Sequence, residues 1–452
     1  MNNTQIRVPK SLASLLMTEL SKFGRREPVA FGFVSHATTP EDEFVLLREV
    51  VIPPEDAFLP SGGHGARWSG RYMIELLNQA SEKQLGIVLF HFHGGSTVRM
   101  SSDDRRSALE LLPKFQLVIS YRPHGSIVLG QDSAAGFLLM PNQGTPTEKF
   151  TLRQFGPSMA TLPLPDDSPR ERGRFARQPL ARGSLVRKVL ARSKVAVVGQ
   201  SGGGSHVALQ LACLGVGEIT GIDDDCVDEG NRFSGIAFGK KHVERHRPKV
   251  EVMEEVIRRI DPGVKYTAVR ARLPEKEALE HLKKADIVVG CVNNVHARAD
   301  IQEIALRYLI PYVDIGLGLN VKPGVLDEFP PVTSIGGNIF VFVPDGPCMW
   351  CTGFLTKEKL DAETQLRGRP YLRTADNVDA LVVSFNGVLG SQAANEVLRL
   401  LTGFAPEDSQ LVYRVYDGFT GLVQECEVHK SPACPQCAGL LAAGDPIWRA
   451  AA

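Results

Sequence analysis

Two alternating histidines and a later aspartate form the first group of residues that could do chemistry. His91-Phe92-His93 follows an apolar run, and Ser101-x-x-Asp104 comes seven residues later. Side chains at alternate positions of an extended segment point to the same side, and a helix that begins near Ser101 can bring Asp104 against them. Two imidazoles and one carboxylate suit a zinc ion that keeps one coordination position open for water.

An open zinc site of this kind suits the hydrolysis of a peptide bond. The metal lowers the pKa of bound water to about 7, which generates hydroxide near neutral pH. A carboxylate must carry the proton, and our choice is Glu27, just before the apolar run at 28–33. Glu49 is a second upstream carboxylate in an apolar setting. The Ser101 hydroxyl is predicted to stabilise the oxyanion of the intermediate.

These residues resemble the motif of the JAMM (JAB/MPN) metallopeptidase family, an upstream Glu followed by H-x-H, seven residues and S-x-x-D. The resemblance covers roughly the first 140 residues. It implies that His91, His93 and Asp104 bind a catalytic zinc. It also implies that Glu27 is the general acid/base and that Ser101 assists the tetrahedral intermediate. The alternative is that the histidines merely share one face of a strand and Asp104 caps a helix.

A second group consists of glycines and carboxylates around two buried strands. The segment 199–205 reads Gly-Gln-Ser-Gly-Gly-Gly-Ser, and it lies where glycines let phosphates approach the backbone N–H groups of a helix N-terminus. Asp223 and Asp225 close the next strand, where a carboxylate can bind ribose hydroxyls. A dehydrogenase would show the same arrangement, and a turn without any ligand is a further alternative. The glycines concerned are Gly199, Gly202, Gly203 and Gly204.

Two C-x-x-C pairs form the third group. They are Cys348/Cys351 and Cys434/Cys437. In a reducing compartment such pairs more often bind metal than form disulfides. Four thiolates suit a tetrahedral zinc with no position left for water, so the predicted zinc is structural. The alternative is four buried cysteines without a metal.

Segments on both sides of the glycines argue against a dehydrogenase. The residues Arg174-Phe175-Ala176-Arg177-Gln178 resemble the R-Y-x-R-Q arm of MoeB/ThiF-type activating enzymes. Downstream, Arg247-Pro248-Lys249, Gly290-Cys291-Val292-Asn293-Asn294 and the two cysteine pairs follow in the order of that family. The resemblance covers roughly residues 172–438. A dehydrogenase explains neither the arm nor the cysteines.

The resemblance to the ThiF family implies a site for ATP with Mg²⁺. In such enzymes the C-terminal carboxylate of a ubiquitin-like protein attacks the α-phosphate, giving an acyl-adenylate and pyrophosphate. The resemblance assigns the ribose to Asp223 and the phosphates to the glycine loop, Asn231 and Lys249. Arg177 would bind the phosphates of a neighbouring subunit's nucleotide, which implies a homodimer. Asn293 stands where the family has an Asp associated with Mg²⁺.

Two positions depart from the family's pattern. Ser234 replaces the Arg of the N-L-x-R-Q segment, and Arg232 or Arg247 are candidates to substitute for it. Asn293 keeps an oxygen ligand for the metal but loses the charge. These departures leave open a ThiF-like module that binds its partner without chemistry.

These motifs must be positioned by at least two domains, because single domains usually hold about 100–200 residues and the chain has 452. We predict a mixed α/β domain of JAB/MPN type at 1–160. A linker with the arginine arm follows at 161–192, where Pro, Arg, Ser and Gly accumulate. The segment 193–452 is predicted to be a Rossmann-like, doubly wound ThiF-type domain.

The hydrophobic pattern predicts the elements that carry the motifs. In the first domain strands are expected at 29–34, 44–51, 86–90, 117–121 and 126–129, and helices at 11–22 and 102–112. In the second domain strands are expected at 194–198, 218–222, 266–269 and 286–289, and helices at 205–214 and 249–260.

Charge and hydropathy exclude some partners. Lys+Arg and Asp+Glu both total 51, so no net charge steers the chain toward nucleic acid or an anionic membrane. No segment approaches the roughly 18 apolar residues that span a bilayer, and the N-terminus lacks the apolar core of a signal peptide. We therefore expect a soluble, cytoplasmic protein.

Three functions remain from the sequence. The leading hypothesis is a bifunctional enzyme, in which a zinc peptidase trims or removes a ubiquitin-like protein and a ThiF-like half adenylates its C-terminus. The second hypothesis keeps the peptidase and makes the ThiF-like half a binding module for the ubiquitin-like partner. The third is activation of a sulfur-carrier protein in cofactor biosynthesis.

Overall fold

The chain divides into two compact units. The computed structural model describes residues 3–22, 28–59, 67–141, 143–162, 184–321, 332–367, 382–406 and 412–446. Unit 1 comprises Met1–Asp166, Leu306–Leu309 and Gly439–Ala452, and unit 2 comprises Asp167–Ala305 and Ile310–Ala438. Glu27 and the arm that contains Arg177 lie outside the described residues, so their roles stay predictions.

Unit 1 is built on one mixed sheet of eight strands. These are β1 (Asn3–Pro9), β2 (Val29–Thr38), β3 (Asp42–Val51), β4 (Gly86–Phe92), β5 (His124–Leu129), β6 (Ala134–Leu139), β7 (Thr151–Phe155) and β8 (Ala160–Leu162). Their order in the sheet is β6-β5-β4-β2-β3-β1-β7-β8. The helices in the first part of the chain are α1 (Lys10–Leu20), α2 (Gly70–Glu82) and α3 (Ser102–Val118), besides a 3-10 turn at Glu55–Ala57.

The two faces of this sheet are covered by different helices. Leu16 and Leu20 of α1 pack in one buried cluster, whereas α2 and α3 contribute to a second cluster that contains Ile87 of β4. Leu89 packs against this second cluster. Because side chains alternate along a strand, His91 lies on the face that α3 covers. The sheet thereby directs His91 toward the helix that carries Asp104.

The strand predicted at 117–121 is wrong, because α3 continues to Val118. Ala108, Leu112, Phe115 and Ile119 are buried, and their spacing of three or four residues is the helical period. Leu117, within the apolar run that suggested a strand, is 85% exposed. The other strands and helices predicted for this unit correspond to observed elements.

Unit 2 is built on a second sheet of eight strands. These are β9 (Lys194–Val198), β10 (Glu218–Ile222), β11 (Lys265–Val269), β12 (Ile287–Gly290), β13 (Tyr312–Val321), β14 (Val332–Phe342), β15 (Tyr413–Asp417) and β16 (Val423–Cys426). Their order is β11-β10-β9-β12-β13-β14-β15-β16. The strands from β11 to β13 in this order are parallel, and the last three add antiparallel.

A helix at Gly202–Leu214 connects the parallel strands β9 and β10, which confirms the predicted strand–helix–strand unit. It is one of the helices in the second part of the chain. They are α4 (Ser184–Arg192), α5 (Gly202–Leu214), α6 (Glu229–Ser234), α7 (Lys240–Glu244), α8 (Lys249–Ile260), α9 (Lys276–Lys284), α10 (Val295–Tyr308), α11 (Lys357–Arg367), α12 (Val383–Thr402) and α13 (Pro435–Leu440). None of the helices in the described part of the chain has the length and apolar composition needed to cross a bilayer.

The order of the parallel strands reverses at β9. The chain runs outward from β9 to β10 and β11 on one side, and returns to β12 on the other. Ligands of such sheets bind in the crevice beyond the carboxyl ends of the strands at this switch point. The glycine loop follows β9, Asp223 follows β10 and Asn293 follows β12. The Rossmann-like fold therefore brings the predicted nucleotide residues to one edge.

Candidate nucleotide and metal sites

In the glycine loop at 199–205, two glycines lie so close to a backbone carbonyl that no side chain would fit. Gly199 follows β9 with φ +85°, and a Cβ there would lie 2.6 Å from the carbonyl oxygen of Cys291. A Cβ on Gly204 would lie 1.7 Å from the carbonyl oxygen of Gly199. Only glycine permits this packing. The first turn of α5 thus begins directly after the loop, and its N–H groups and partial positive charge suit an anion.

Asp223 joins the glycine loop to the end of β10. One carboxylate oxygen accepts a hydrogen bond from the backbone N–H of Gln200 at 2.7 Å, and the other accepts one from the N–H of Asp225 at 2.9 Å. Burial raises the pKa of Asp223, although Lys249 and these hydrogen bonds favour the charged form. The carboxylate is held rigidly beside the loop.

Lys249 and Asn231 converge on the same region. The buried Lys249, the first residue of α8, places its Nζ 2.8 Å from Asp225 Oδ2 and 3.8 Å from Asp223 Oδ1. Asn231 donates from its side-chain nitrogen to Ser201 Oγ at 3.1 Å, and its oxygen accepts from the N–H of Asp228. One cation and one amide therefore lie against the loop and its carboxylates, and their role in phosphate binding stays a prediction.

The departures from the family pattern have distinct surroundings. Ser234 is buried at the end of α6, and its short side chain carries no charge. Of its proposed substitutes, Arg232 pairs with Glu229 at 2.6 Å, and Arg247 pairs with glutamates of α8. Asn293 is exposed in the turn between β12 and α10. Each candidate arginine thus already forms an ion pair with a neighbouring glutamate.

Sequence reasoning missed a buried ion pair under this turn. Arg298 of α10 donates from Nε to both carboxylate oxygens of Asp314, at 3.2 and 3.0 Å. Tyr312 donates its hydroxyl to the same carboxylate at 2.6 Å. The available signal was Asp314 itself, because a carboxylate inside an apolar strand is rarely buried unless it is paired.

The four cysteines of the two C-x-x-C pairs come together in unit 2. The Sγ atom of Cys348 lies 3.7 Å from the Sγ of Cys351, 3.8 Å from that of Cys434 and 3.4 Å from that of Cys437. A zinc ion bound by four sulfurs at about 2.3 Å requires sulfur–sulfur distances of about 3.8 Å. The hydrogen bond from Cys437 is the main cause that lowers the pKa of Cys348 to about 5. The cluster fits structural zinc.

His91, His93 and Asp104 also come together, in unit 1. His91 Nε2 lies 3.4 Å from Asp104 Oδ1, and His93 Nε2 lies 3.8 Å from Asp104 Oδ2. One ligand atom from each residue lies within 4.8 Å of the others. Tetrahedral zinc with ligands at about 2.0–2.1 Å needs separations of about 3.3 Å. His91 is buried and His93 is partly exposed, so the three fit a metal reached from one side.

Ser101 and Asp104 also form the N-terminal cap of α3. The Ser101 hydroxyl and N–H both donate to Asp104 Oδ2, at 2.7 and 2.9 Å, and Ser101 Oγ accepts from the N–H of Asp104. Partial burial raises the pKa of Asp104, but these hydrogen bonds and the two histidines outweigh it, so the pKa is lowered overall. The cap holds Asp104 in its charged form toward the histidines.

The alternative carboxylate Glu49 is engaged elsewhere. Both of its oxygens accept hydrogen bonds from Lys83 Nζ, and the pair is about half exposed. A carboxylate that is held by a lysine on the surface is a poor proton carrier for a metal bound by His91, His93 and Asp104. Glu27 lies outside the described residues, so its assignment as general acid/base stays a prediction.

Comparison with known proteins identifies relatives of the second part of the chain. The model of the ThiF family matches residues 175–436, more than half of the sequence. The sulfur carrier protein ThiS adenylyltransferase of Escherichia coli K12 is 26% identical over 260 residues, covering 57% of this chain and 90% of the relative. The molybdopterin-synthase adenylyltransferase of the same organism is 26% identical over 273 residues, covering 60% and 98%.

An archaeal protein gives a further match of the same kind. The SAMP-activating enzyme E1 of Haloferax volcanii is 28% identical over 249 residues, which cover 55% of this chain and 81% of that protein. Residues 1–174 lie before the segment matched by the family model.

Proposed function

Because this chain belongs to the ThiF family, we propose that it adenylates the C-terminal carboxylate of a small carrier protein with ATP. The observation that carries the proposal is the convergence of the glycine loop, Asp223, Asn231 and Lys249 at the switch point of the sheet. An anion site at a helix N-terminus, a carboxylate for the ribose and a lysine for phosphate are what ATP requires. Each of these groups would thus bind a different part of one ATP molecule.

In the proposed reaction a carboxylate oxygen of the carrier attacks the α-phosphorus of ATP. The new P–O bond gives an acyl-adenylate, which is a mixed anhydride, and the bond from the α-phosphorus to the oxygen that bridges to the β-phosphate breaks to release pyrophosphate. The backbone N–H groups after Gly199 offset phosphate charge, and Lys249 does so once it turns from Asp225. Mg²⁺ bound with ATP would supply further positive charge, and the Asn293 amide oxygen would be a neutral ligand for it.

The partner is proposed to be a sulfur-carrier or ubiquitin-like protein. The relatives above are named for ThiS, for molybdopterin synthase and for SAMP, which supports the sulfur-carrier hypothesis better than a processing peptidase. Adenylation of a C-terminal carboxylate is the step shared by both kinds of carrier. A homodimer with Arg177 acting on the neighbouring nucleotide remains part of the proposal.

A Lys249→Met variant tests the nucleotide site without any partner. The buried Lys249 places its Nζ 2.8 Å from Asp225 and 3.8 Å from Asp223, so its removal should weaken ATP binding strongly. A hydrogen bond to a charged group contributes about 1.5–3 kcal/mol, which corresponds to a loss of affinity of roughly 10- to 100-fold. Isothermal titration of the full chain with ATP and Mg²⁺ measures this.

Lys265→Met is the matched control for that titration. Lys265 lies on β11 of the same sheet, mostly exposed, and pairs with Glu218. Its replacement should leave the ATP affinity within about twofold, since an exposed pair contributes little. Equal affinities in wild-type protein and Lys249→Met would remove Lys249 from the site. Absence of ATP binding to the wild-type chain would favour a ThiF-like module that binds its partner without chemistry.

A second activity is proposed for unit 1, a zinc-dependent peptidase that trims or removes the same carrier. The specific observation is the approach of His91, His93 and Asp104 within 4.8 Å. Zinc bound there would supply a water whose pKa lies near 7. Asp104 is held for this role by the Ser101 cap. Glu27 as proton carrier completes the proposal. The ThiF match begins at residue 175, after the segment of the chain that carries His91, His93 and Asp104.

A further inference from the structure

The buried ion pair between α10 and β13 is tightly bound and crowded. Asp314 is fully buried, and the Arg298 side chain is 14% exposed. Two glycines make room for the group. A Cβ on Gly316 would lie 2.3 Å from Arg298 Nη2, and one on Gly290 would lie 2.7 Å from the Tyr312 hydroxyl. Any other residue at these two positions would displace the arginine or the tyrosine.

This pair lies directly under the turn that carries Asn293. Gly290 ends β12, and Cys291 continues into the turn with its N–H donating to the carbonyl of Val198 at 2.8 Å. The carbonyl oxygen of Cys291 is the group that a Cβ on Gly199 would strike. The β12–α10 turn and the glycine loop therefore form one packed layer.

The other end of the turn is also fixed. Glu363 of α11 accepts hydrogen bonds from the N–H groups of Val295 and His296, at 3.0 and 2.9 Å. Asn294 accepts one from the N–H of Ala297 at 2.7 Å. These bonds satisfy the first N–H groups of α10, which its own helix leaves without partners. A displacement of α10 would thus move the whole turn rather than bend it.

We propose that Arg298 and Asp314 are positioning residues of the nucleotide site, an inference that rests on the proposed function. Their ion pair ties α10 to β13 and sets where the β12–α10 turn meets the glycine loop. They act at the phosphate end of the site, because that end is formed by the loop and by Asn293. The ribose end depends on Asp223 and β10, and two strands, β9 and β12, separate β10 from the strand β13 that carries Asp314.

A structural role alone would not need charged groups at this place. Buried ion pairs are often replaced by apolar side chains of similar volume without loss of stability, whereas removing one partner leaves an uncompensated charge. The informative variant therefore removes the whole group together, as Arg298→Met, Asp314→Leu and Tyr312→Phe. It is expected to fold, and any change in ligand binding then reports position rather than stability.

The test compares ATP·Mg²⁺ with adenosine as probes of the full chain. In the triple variant the dissociation constant of ATP should rise by roughly 10- to 100-fold, the usual effect of losing groups that orient a site. The dissociation constant of adenosine, measured by competition, should change by less than about twofold. Thermal unfolding of wild type and variant should nearly coincide. This split between ATP and adenosine is not expected of a structural pair.

A second buried pair serves as the matched control. Arg414 of β15 and Glu396 of α12 are 2.8 Å apart and both buried, and Glu396 also pairs with Arg399 at 3.5 Å. Replacing both, as Arg414→Met with Glu396→Leu, should leave the affinities for ATP and adenosine unchanged. Gly316→Ala is the second test variant, because it displaces the Arg298 guanidinium while every charged group is retained in the chain. It should weaken ATP binding in the same direction.

Three results would overturn the inference. The first is unchanged ATP affinity in the folded triple variant and in Gly316→Ala. The second is an equal loss of ATP and adenosine binding, which indicates a general distortion of the unit. The third is a wild-type chain that binds neither probe, which removes the proposed nucleotide site together with the positioning role. In the first two cases wild-type binding stands, so the proposed function survives the failure of this inference.

Discussion

Replacing Cys434 by serine is expected to destabilise unit 2 strongly. The four cysteine sulfurs lie at distances that fit tetrahedral zinc, and serine cannot provide the fourth thiolate. Structural zinc contributes on the order of 10 kcal/mol to the folding of small zinc domains, and an ordinary domain has only about 5–15 kcal/mol of stability. Losing half of the zinc contribution, about 5 kcal/mol, should lower Tm by roughly 10–20 °C.

The measurement is thermal unfolding together with zinc content by mass spectrometry. Cys213→Ser is the matched control, because Cys213 is an exposed cysteine of α5 outside the cluster, and its Tm should stay close to that of the wild type. Chelation of wild-type protein should shift Tm in the same direction as Cys434→Ser. An unchanged Tm and an unchanged zinc content in Cys434→Ser would contradict a structural metal at this place.

Replacing His93 by alanine is expected to remove a second zinc ion from the protein. Three ligand atoms within 4.8 Å of one another suffice for an open zinc site, but two do not hold the metal well. Zinc content should fall from about two ions per chain to about one, with the cysteine site still loaded. Tm should change little, because His93 is partly exposed. Any peptidase activity of the chain should disappear with this zinc.

His429→Ala is the control for this measurement. His429 is mostly exposed and pairs with Glu427, so its loss should leave both zinc ions bound. A wild-type chain with a single zinc, unaffected by His93→Ala, would leave Ser101 and Asp104 with their capping role alone. The peptidase proposal for unit 1 would then be withdrawn, and the proposal for unit 2 would be unaffected.

Local signals explain why several residues of the proposed nucleotide site could be predicted to lie together. The strand β9, the glycines after it and the carboxylate that ends β10 are adjacent in sequence, so their residue types alone indicate the turn and the helix N-terminus. The order of parallel strands then follows from short right-handed crossovers. Lys249 and Asn231 needed the resemblance to the ThiF family, because no local pattern shows that they meet the loop.

Contacts between distant segments could not be predicted in this way. Arg298 and Asp314 lie on different elements, and only the fold shows that glycines at 290 and 316 make room for their group. In unit 1, β1 pairs with β3 and with β7, which are far apart in sequence. The apolar run at 117–121 failed as a strand because hydrophobicity alone does not distinguish a short strand from the end of a helix.

The two interpretations of Asp104 turned out to be compatible. The sequence allowed either a metal ligand or a helix cap, and the structure gives Asp104 the hydrogen bonds of a capping box together with two histidines at 3.4 and 3.8 Å. One carboxylate oxygen accepts both bonds from Ser101, and the other faces His91. A cap can therefore orient a metal ligand, and zinc content decides whether it does.

The measurement that bears most directly on the account is transfer of labelled AMP from ATP to a carrier protein. Wild-type chain, Mg²⁺, ATP labelled at the α-phosphate and the ThiS-like or ubiquitin-like proteins of the same organism are incubated and followed by intact mass. We predict one AMP on the C-terminal carboxylate of a carrier, release of pyrophosphate, and little label with Lys249→Met. ATP bound by the wild-type chain without label on any of these carriers would contradict adenylation.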